Sequence, residues 1–561
     1  MRPLLVLVLA ASACDFSGPG QPVDAQVDAP PDTPPPLPGV SFTSVTVNQT
    51  TIRPGLYGIE VMTVLRNGHT SPITGIRASL TFLESTTDRA ADFRWRDADA
   101  RDGVMAAQPV TIAPGGEETF RFRLDALASA APSGPILVNG SAQFETDGRT
   151  YAATPLDPPA NLAFDDLLPP PIVVNIVTDE SNSNNTTTSF REALEQALLN
   201  PGFDRIVFDQ TVFPPGVARD ILLDTIRDQL PVITGDVTVI DGGTSNVTIA
   251  VDAAWDAPTG RSGLRLAGGT LVVHGLGFRD FAFGYQQEDL SLDNCGSGIQ
   301  RQGGAILVTE GTLILDGNTF SDPGVTERNC YATSVLLAGG SGHRILNNYW
   351  TKQAMDSLTI RAPTIEVSDN VMDAGSTAAA DLDKTDDCIS VETEDNSNVW
   401  IVGNVCIDQE LSAVVAHGGG TGIIHVVNNT FARNGRIPGM SAVRREVGQR
   451  RIELHNNAYH ANLPGAIQTD DMNGVNMTIS HESAFSLQFC SGCTDAIIDS
   501  TVVSGPTAIG LTNPDGATRG DLTPLAGSPL VDSGRDLVDR NGSAPGRFNR
   551  AGVDRGAFEL P

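Results

Sequence analysis

The most regular feature of the sequence is a short phrase in which apolar and polar residues alternate and then meet an asparagine. An apolar residue follows two positions after each asparagine. Alternation with a period of two places successive side chains on opposite faces of an extended chain, so each phrase predicts a β-strand. In an earlier copy, Leu276 takes the place of the asparagine. The asparagines of the six complete copies are Asn318, Asn348, Asn370, Asn404, Asn429 and Asn457.

The steps between these asparagines are unequal, at 30, 22, 34, 25 and 28 residues. A repeat whose core persists while its length varies predicts a solenoid of stacked coils with loops of free length. The shortest step fits one coil of three short strands. Because asparagine tolerates the left-handed backbone conformation, we place it at a corner of the coil. Its amide can then bond the equivalent amide one coil away, and the residue two positions later stacks inside the solenoid.

This pattern resembles the right-handed parallel β-helix of the pectin-lyase-like superfamily over roughly residues 172–500. The stretch SFREALEQALL resembles the SLREA-like entry helix of bacterial surface β-helix proteins, and Ser189 with Glu192 predicts a capping box at its start. The phrase VDRGAFE near the C-terminus resembles the closing segment of such proteins. The resemblance implies an all-β fold with a β-helix and helical cap over residues 172–510 and a closing segment over 511–561.

The N-terminal part divides into four segments by composition. Residues 1–14 form an apolar signal peptide whose end, ASAC, resembles the lipobox of bacterial lipoproteins, which implies acylation of Cys14. Residues 15–39 are a Pro- and Asp-rich tether. Alternating runs over 40–155 predict a small Ig-like β-sandwich, and residues 156–171 form a linker. We therefore expect an exported protein, lipid-anchored at the bacterial outer membrane or cell surface.

The charge balance limits the partners of the protein. The chain of 561 residues has 36 Lys and Arg against 67 Asp and Glu, a formal net charge of −31. This acidity argues against nucleic acid as a partner. In an exported chain, the six cysteines besides Cys14 predict disulfides whose connectivity is open. Pairing by sequence neighbours gives Cys295–Cys330, Cys388–Cys406 and Cys490–Cys493.

Two charge clusters are candidates for chemistry. Acidic residues concentrate between positions 369 and 395, and carboxylate oxygens are the ligands that Ca²⁺ prefers. Arginines concentrate soon after, and their planar side chains suit uronate or sulfate groups. Coils stack at about 4.8 Å, so both clusters can lie on one face. The alternative is that the two clusters pair with each other. The candidate calcium ligands are Asp383, Asp386 and Asp387; the candidate substrate-binding residues are Arg433, Arg444, Arg445 and the loop residue Tyr331.

The same region resembles polysaccharide lyases of the pectate-lyase type. The resemblance rests on NVWI at 398–401 and on Arg436 with Pro438, which match the start of an RxPxxR motif. It implies that Arg436 abstracts the α-proton of a uronate whose carboxylate is bound by Ca²⁺. The chain departs from the family at 402–403, where Val-Gly replaces an Asp-His pair.

A second resemblance leads to hydrolysis. Asp386, Asp387 and Cys388, with Cys406 after them, resemble the DDC phrase of polygalacturonase-type glycoside hydrolases, in which paired carboxylates act as acid and base. The NTD phrase that precedes it in that family is missing. The sequence therefore favours a surface β-helix that binds glycans or partners or has a structural or adhesive role. The alternative is an enzyme acting on an acidic polysaccharide: a Ca²⁺-assisted lyase with Arg436 as base or, after it, a hydrolase using Asp387.

Overall fold

A computed structural model describes the chain between residues 34 and 530, apart from several internal segments. The segments outside the description are 49–50, 54, 56, 96–110, 128–129, 131–133, 165–168, 183–184, 200–201, 225–228, 252–261, 282–302, 323–332, 354–355, 375–386, 394–397, 418–421, 437–439, 447–450, 463–464, 470–476, 481–482, 486–487, 492–496, 499–502, 505–510, 514–521, 523–524, 526–527 and 529.

From Ile172 onward the chain winds into coils of three short strands. In one coil these are Thr333–Leu337, His343–Leu346 and Tyr349–Thr351. Each strand pairs in parallel with the corresponding strands of the neighbouring coils. We call the three resulting surfaces the first, second and third faces, in the order in which the chain passes through them. This architecture confirms the predicted parallel β-helix.

Two strands, Leu264–His274 and Gly303–Asp316, run through both the first and the second face. The other first-face strands are Val232–Ile233, Thr333–Leu337, Leu358–Ile360, Ile389–Val391, Val414–Ala416, Ser441–Arg445, Gly465–Thr469 and Gln488–Ser491. The other second-face strands are Ile172–Val174, Phe203–Phe208, Val237–Asp241, His343–Leu346, Ile365–Ser368, Val399–Val402, Ile423–Val427, Arg451–His455, Met477–Ser480 and Ile497–Ile498. The third-face strands are Ala218–Leu222, Asn246–Ala250, Gly277–Arg279, Thr319–Ser321, Tyr349–Thr351, Val371–Asp373, Val405–Ile407, Thr430–Ala432, Ala458–His460, Ser483–Phe485 and Val503–Ser504.

The predicted asparagine ladder is present at the corner between the second and third faces. The side-chain amide of Asn318 donates to Asn348 Oδ1 at 3.0 Å, and the contact repeats at each coil up to the pair Asn429–Asn457 at 2.9 Å. Each of these asparagines is buried. The left-handed conformation, however, belongs to the residue before the ladder position, such as Asn428 with φ 55°. The asparagine at each ladder position is therefore explained by the bonds of its side-chain amide and not by its backbone angle.

Inside the solenoid, the residues two positions after the ladder form a stack. The rings of Phe278 and Phe320 lie 5.1 Å apart, and those of Phe320 and Trp350 lie 4.7 Å apart, nearly parallel in both cases. Phe431 and Tyr459 continue this arrangement in later coils. These side chains are fully buried, as predicted, and supply core rather than a surface for sugar stacking.

The chain enters the β-helix through one α-helix, Phe190–Leu199. The backbone N–H of Ser189 donates to Glu192 Oε2 at 2.8 Å, and the N–H of Glu192 donates to Ser189 Oγ at 3.1 Å. This confirms the predicted capping box. The ring of Phe190 packs against Phe208 of an early strand, so the helix covers the start of the core.

The N-terminal part is a separate, mostly antiparallel sheet with its own apolar core, and we call it the N-terminal sheet. Its Ig-like character stays a prediction. One short 3-10 helix, Ala90–Asp92, interrupts it. Its strands are Pro36–Val47, Thr51–Ile52, Tyr57–Asn67, Thr74–Glu84, Thr87–Asp88, Phe93–Trp95, Glu117–Ala126, Ile136–Thr146, Arg149–Thr154 and Ala160–Phe164.

The N-terminal sheet contacts the outside of the second face. Gly55 packs against the methyl groups of Val239 and Val272, which are buried although they point out of the solenoid. Asp125, only 1% exposed, lies 3.8 Å from a guanidinium nitrogen of Arg344. Apolar side chains on the outside of a sheet are unfavourable in water, and the N-terminal sheet buries those of the first coils.

The C-terminal segment covers part of the third face in the same way. Leucines at positions 511, 522 and 530 form one buried apolar cluster with outward residues of third-face strands. Those outward residues are Val371, Val405, Ile407, Ala432 and Ala458. The VDRGAFE phrase lies outside the described residues. No helix in the described part of the chain is both long and apolar enough to cross a membrane.

Candidate functional site

The first face carries a line of side chains directed outward, three of which are polar and one of which is a valine. Thr359, Ser390, Val415 and Arg444 occupy equivalent positions in four successive coils. They alternate with inward residues that belong to the core, so the sheet geometry directs them away from the solenoid interior. The line changes along the axis from buried hydroxyls at Thr359 and Ser390 to the partly buried guanidinium of Arg444.

Charged side chains line the edge where the first face ends. Arg361, Glu392, His417 and Glu446 each follow the last residue of a first-face strand, on four successive coils. The backbone N–H groups of all four donate to the preceding coil in the same way: Arg361 to Leu337 O at 2.8 Å, Glu392 to Ile360 O at 2.7 Å, His417 to Val391 O at 2.8 Å and Glu446 to Ala416 O at 2.9 Å. We call these four residues, together with Arg444, the charged row.

Ion pairs hold the charged row in a fixed order. Arg361 Nε lies 2.8 Å from Glu392 Oε2. His417 Nδ1 lies 2.6 Å from Glu446 Oε2, and Arg444 Nη1 lies 3.4 Å from Glu446 Oε1. The hydrogen bond with His417, helped by the charges of His417 and Arg444, lowers the pKa of Glu446 against the opposing effect of burial. The row thus alternates carboxylates with cationic or hydrogen-bonding partners.

The side chains of the charged row are neither buried nor fully solvated. Their exposed fractions run from 20% at Glu392 to 33% at His417. Because coils repeat at about 4.8 Å, the row presents one charged or hydrogen-bonding group per coil along the solenoid axis. Such a line of donors and acceptors can bind an extended polymer with one polar unit per coil.

Two buried carboxylates lie at the opposite end of the first-face strands. The N–H of Asp387 donates to Asp356 Oδ1 at 3.3 Å, and the Thr359 hydroxyl donates to Asp356 Oδ2 at 2.9 Å. Asp387 Oδ1 accepts the N–H of Ser412 at 2.6 Å. Asp356 is 1% exposed and Asp387 is 7% exposed. The two acids therefore sit one coil apart and bond to the starts of neighbouring strands.

The structure separates the arginines that the sequence grouped together. Arg444 belongs to the charged row, whereas Arg445 is fully buried. Arg433 forms a two-pronged ion pair with Asp408, at 2.8 and 2.9 Å. Arg436 lies partly exposed in the segment between the third and first faces. Of the four, Arg444 is the one that the structure brings to the charged row.

The predicted calcium ligands are only partly described. Asp383 and Asp386 lie outside the described residues, and so does Tyr331. Asp387 and its neighbour Asp356 supply two carboxylates, and the described residues contain no group of three or more His, Cys, Asp or Glu suited to hold a metal ion. The described side chains alone therefore do not form a calcium site.

The predicted disulfide between Cys388 and Cys406 is wrong for this structure, because both thiols are free and buried. Cys388 Sγ contacts the carbonyl oxygen of Met372 at 3.7 Å, and Cys406 Sγ contacts that of Ala413 at 4.0 Å. Burial, with the Cys406 thiol beside it, raises the pKa of Cys388. Both cysteines thus act as small core residues. The other predicted pairings involve Cys295, Cys330 and Cys493, which lie outside the described residues, as does the predicted lipidation site Cys14. Cys490 is described and is disulfide-bonded.

Reasoning from sequence missed three members of the site. Asp356, Arg361 and Glu446 have no motif of their own, and the only signal in the sequence was their place beside a strand, whereas Glu392 lies within the acidic cluster over 369–395. His417 lies directly before three glycines and likewise belongs to no motif. Because the coils differ in length, no fixed interval in the sequence aligns it with its neighbours.

Comparisons with known proteins concern the fold. No protein-family model and no curated protein matches the chain. Among solved structures, the chain is similar to pectate lyase Pel9A, with 12% identity, a TM-score of 0.36 and coverage of 70% of this chain and 97% of that one. It is also similar to the catalytic domain of a GH87 α-1,3-glucanase, with 10% identity, a TM-score of 0.33 and coverage of 84% and 97%.

A match of another kind covers less of both proteins. The chain spans 30% of the length of the Pseudomonas fluorescens alkylpurine DNA glycosylase AlkC, with 12% identity over 23% of this chain and a TM-score of 0.14. At these identities and TM-scores, the likeness to solved structures carries no conclusion about chemistry.

Proposed function

We propose that the protein binds glycan chains along the charged row, as an exported, lipid-anchored β-helix of the bacterial surface. The observation that carries the proposal is the presence of partly exposed, ion-paired side chains at the same edge of four successive coils. Carboxylates accept hydrogen bonds from sugar hydroxyls, and guanidinium groups donate to them. A side chain already fixed by an ion pair loses little conformational entropy when it binds a ligand.

The direction of the row favours a polymer over a small molecule. Arg361 and Glu446 stand three coils apart, which corresponds to roughly 14 Å at the usual strand spacing. A single sugar cannot reach both ends of the row, whereas a chain lying parallel to the solenoid axis can. The guanidinium groups of Arg361 and Arg444 also allow acidic sugars to bind.

Binding of a glycan array by the full mature protein tests this proposal, followed by titration calorimetry on the best ligand. Arg361→Met should weaken that binding by roughly tenfold to a hundredfold, since a hydrogen bond to a charged group contributes roughly 1.5–3 kcal/mol. A matched control is Arg279→Met on the third face, because Arg279 is 35% exposed and pairs with Asp220 as Arg361 pairs with Glu392. Equal affinity in both variants, or an array without any bound glycan, would refute binding at the row.

An enzymatic alternative is favoured by one observation, the placement of Asp356 and Asp387 one coil apart at the start of the first face. Paired carboxylates serve as acid and base in glycoside hydrolysis. Ca²⁺-assisted elimination by Arg436, with calcium held by Asp387 and the acids before it, is the other form of this alternative. Incubation with polyuronates, with and without Ca²⁺, should distinguish them. New unsaturated ends that absorb in the ultraviolet indicate elimination, and new reducing ends without that absorbance indicate hydrolysis.

Each enzymatic mechanism predicts which variants should lose activity. Asp387→Asn should abolish either activity, and Arg436→Ala should abolish elimination alone. The two variants need a folding check, because Asp387 also accepts a backbone hydrogen bond from Ser412. Absence of product from wild-type protein across the panel would leave glycan binding as the function.

Export and anchoring are part of the proposal and rest on the N-terminal sequence. Acylation of Cys14 would attach the chain to a membrane, and the Pro- and Asp-rich tether after it would hold the folded part at a distance. The test is detergent-phase partition of the protein made in a bacterial host. Wild type should enter the detergent phase, and Cys14→Ser should remain in the aqueous phase. Aqueous partition of both proteins would contradict the anchor.

A further inference from the structure

We propose that His417 makes glycan binding at the charged row responsive to acid, with protonation of its imidazole strengthening the binding of anionic glycans. This inference rests on the proposed function, glycan binding, and adds a means by which pH regulates that binding. The ligand chemistry is a carboxylate or sulfate group on a sugar. The observation behind it is the position of one titratable ring inside a row whose other members carry fixed, opposite charges.

The geometry assigns the two nitrogens of the ring different roles. Nδ1 is 2.6 Å from Glu446 Oε2, so in the neutral ring it carries the proton and donates to the carboxylate. Nε2 makes no hydrogen bond to any described residue, and the side chain is 33% exposed. The neutral ring therefore offers an acceptor to a ligand, and the protonated ring offers a donor with a positive charge.

The net charge of the row depends on this one proton. With His417 neutral, the charges of Arg361 and Arg444 balance those of Glu392 and Glu446. Protonation makes the row positive by one unit. It also strengthens the pair between His417 and Glu446, which competes with the longer contact of 3.4 Å between Glu446 and Arg444. Arg444 then has more of its charge available for an anionic group on a ligand.

Among the described residues, the charged and titratable groups beside His417 belong to the first-face edge. From the preceding coils these are Glu392, with Ser390 bonded to it at 3.3 Å, and Arg361. From the following coil these are Arg444 and Glu446. Since Glu446 has a lowered pKa, it stays ionised over the range in which an imidazole titrates. Among the side-chain types in the described row, imidazole is the one that ordinarily changes charge between pH 5 and 8.

The experiment measures the affinity of the full mature protein for oligogalacturonate at about pH 8 and about pH 5, the range in which imidazole changes charge. Wild type should bind about fivefold more tightly at the acidic pH, the effect of one added ion pair at a partly exposed site. His417→Gln should show no such gain. His69→Gln, which removes an imidazole from the N-terminal sheet, serves as the matched control and should retain it.

Each outcome either supports or overturns the proposed pH response. A gain that is lost in His417→Gln and kept in His69→Gln supports the inference. Binding with the same gain in both variants, or with no gain in wild type, overturns the pH response but leaves glycan binding in place. Failure of wild type to bind any anionic or neutral glycan at either pH overturns both. A neutral oligosaccharide that binds with equal affinity at both pH values would further support charge as the cause.

Discussion

His343 provides the clearest test of how burial in the solenoid controls stability. The side chain lies at the start of a second-face strand and is 1% exposed. Its Nδ1 accepts the N–H of Leu313 at 3.0 Å, so the neutral ring keeps its proton on Nε2, which donates to Gly339 O at 2.9 Å. Burial lowers the pKa of His343 from 6.5 to about 4, although the bond to Gly339 acts in the opposite direction. The folded protein therefore favours the neutral ring.

The consequence for stability follows from proton linkage. Between about pH 6.5 and about pH 4, the unfolded chain binds a proton at this histidine and the folded chain does not. The free energy of unfolding should therefore fall as the pH decreases through this window. A pKa difference of this size corresponds to about 3 kcal/mol. Above about pH 7 the histidine is neutral in both states, and its contribution no longer depends on pH.

Urea unfolding of wild type and His343→Gln at about pH 7 and about pH 4.5 measures this contribution. The variant should be less stable than wild type at neutral pH, because it loses the two backbone contacts. At the acidic pH the gap should shrink by about 2–3 kcal/mol, since the variant has no imidazole to charge. His69→Gln controls for histidines in general and should show the same difference from wild type at both pH values. A gap for His343→Gln that stays constant with pH would refute the reasoning.

Two further predictions concern the backbone of the coils, both measured by urea unfolding. A Cβ on Gly269 would lie 1.5 Å from the carbonyl oxygen of Gly235, so Gly269→Ala should lower the free energy of unfolding by more than about 3 kcal/mol. Gly317 has the same positive φ of 66° but open space around it, so Gly317→Ala should lower the free energy of unfolding by about 1 kcal/mol. Similar losses in both would show that the backbone angle, and not the contact, sets the cost. Asn404→Ala removes the amide bonded to Asn429 at 3.0 Å within the buried ladder and should lower the free energy of unfolding by roughly 2–4 kcal/mol. A loss below about 0.5 kcal/mol would mean that water replaces the amide.

The ladder and the interior stack could be predicted from sequence because both repeat with the local pattern of a strand. Asn318 and Phe320 hold a fixed relation within three residues, and the structure confirms the place of both. The left-handed angle was assigned to the wrong residue, since it occurs one position earlier. That shift has a physical reason: the ladder amide must point along the axis toward the next coil, so the turn that aims it is made by the residue before.

The charged row could not be predicted, because its members are neighbours only after the coils have stacked. Arg361 and Glu392 are 31 residues apart, and His417 and Glu446 are 29 residues apart. These intervals include loops of different length, so no sequence period joins the four residues. The first-face strands are also short, at three residues in several coils, and give a weak pattern of their own.

The two buried cysteines show a related limit of prediction from sequence. Cys388 and Cys406 were paired because they are neighbours in sequence within an exported chain. In the structure the two thiols lie beside each other in the solenoid interior without forming a disulfide, and each sulfur also contacts a backbone carbonyl oxygen. Apolar surroundings favour the neutral thiol, which is the less reactive form. Counting cysteines therefore predicted the wrong chemistry for residues whose role is packing.

The parts of the chain outside the solenoid explain why the first-face edge is the place to look for a ligand. The N-terminal sheet lies against the second face at Val239 and Val272, and the C-terminal leucines lie against the third face at Val405. Both covered surfaces are apolar, so their burial stabilises the fold and leaves little polar surface for recognition. The charged row differs because its ion pairs keep charged side chains partly exposed at an edge. If these side chains served only solubility, neither Arg361→Met nor a change of pH should alter glycan binding, which is why those two measurements separate a binding edge from a solvated one.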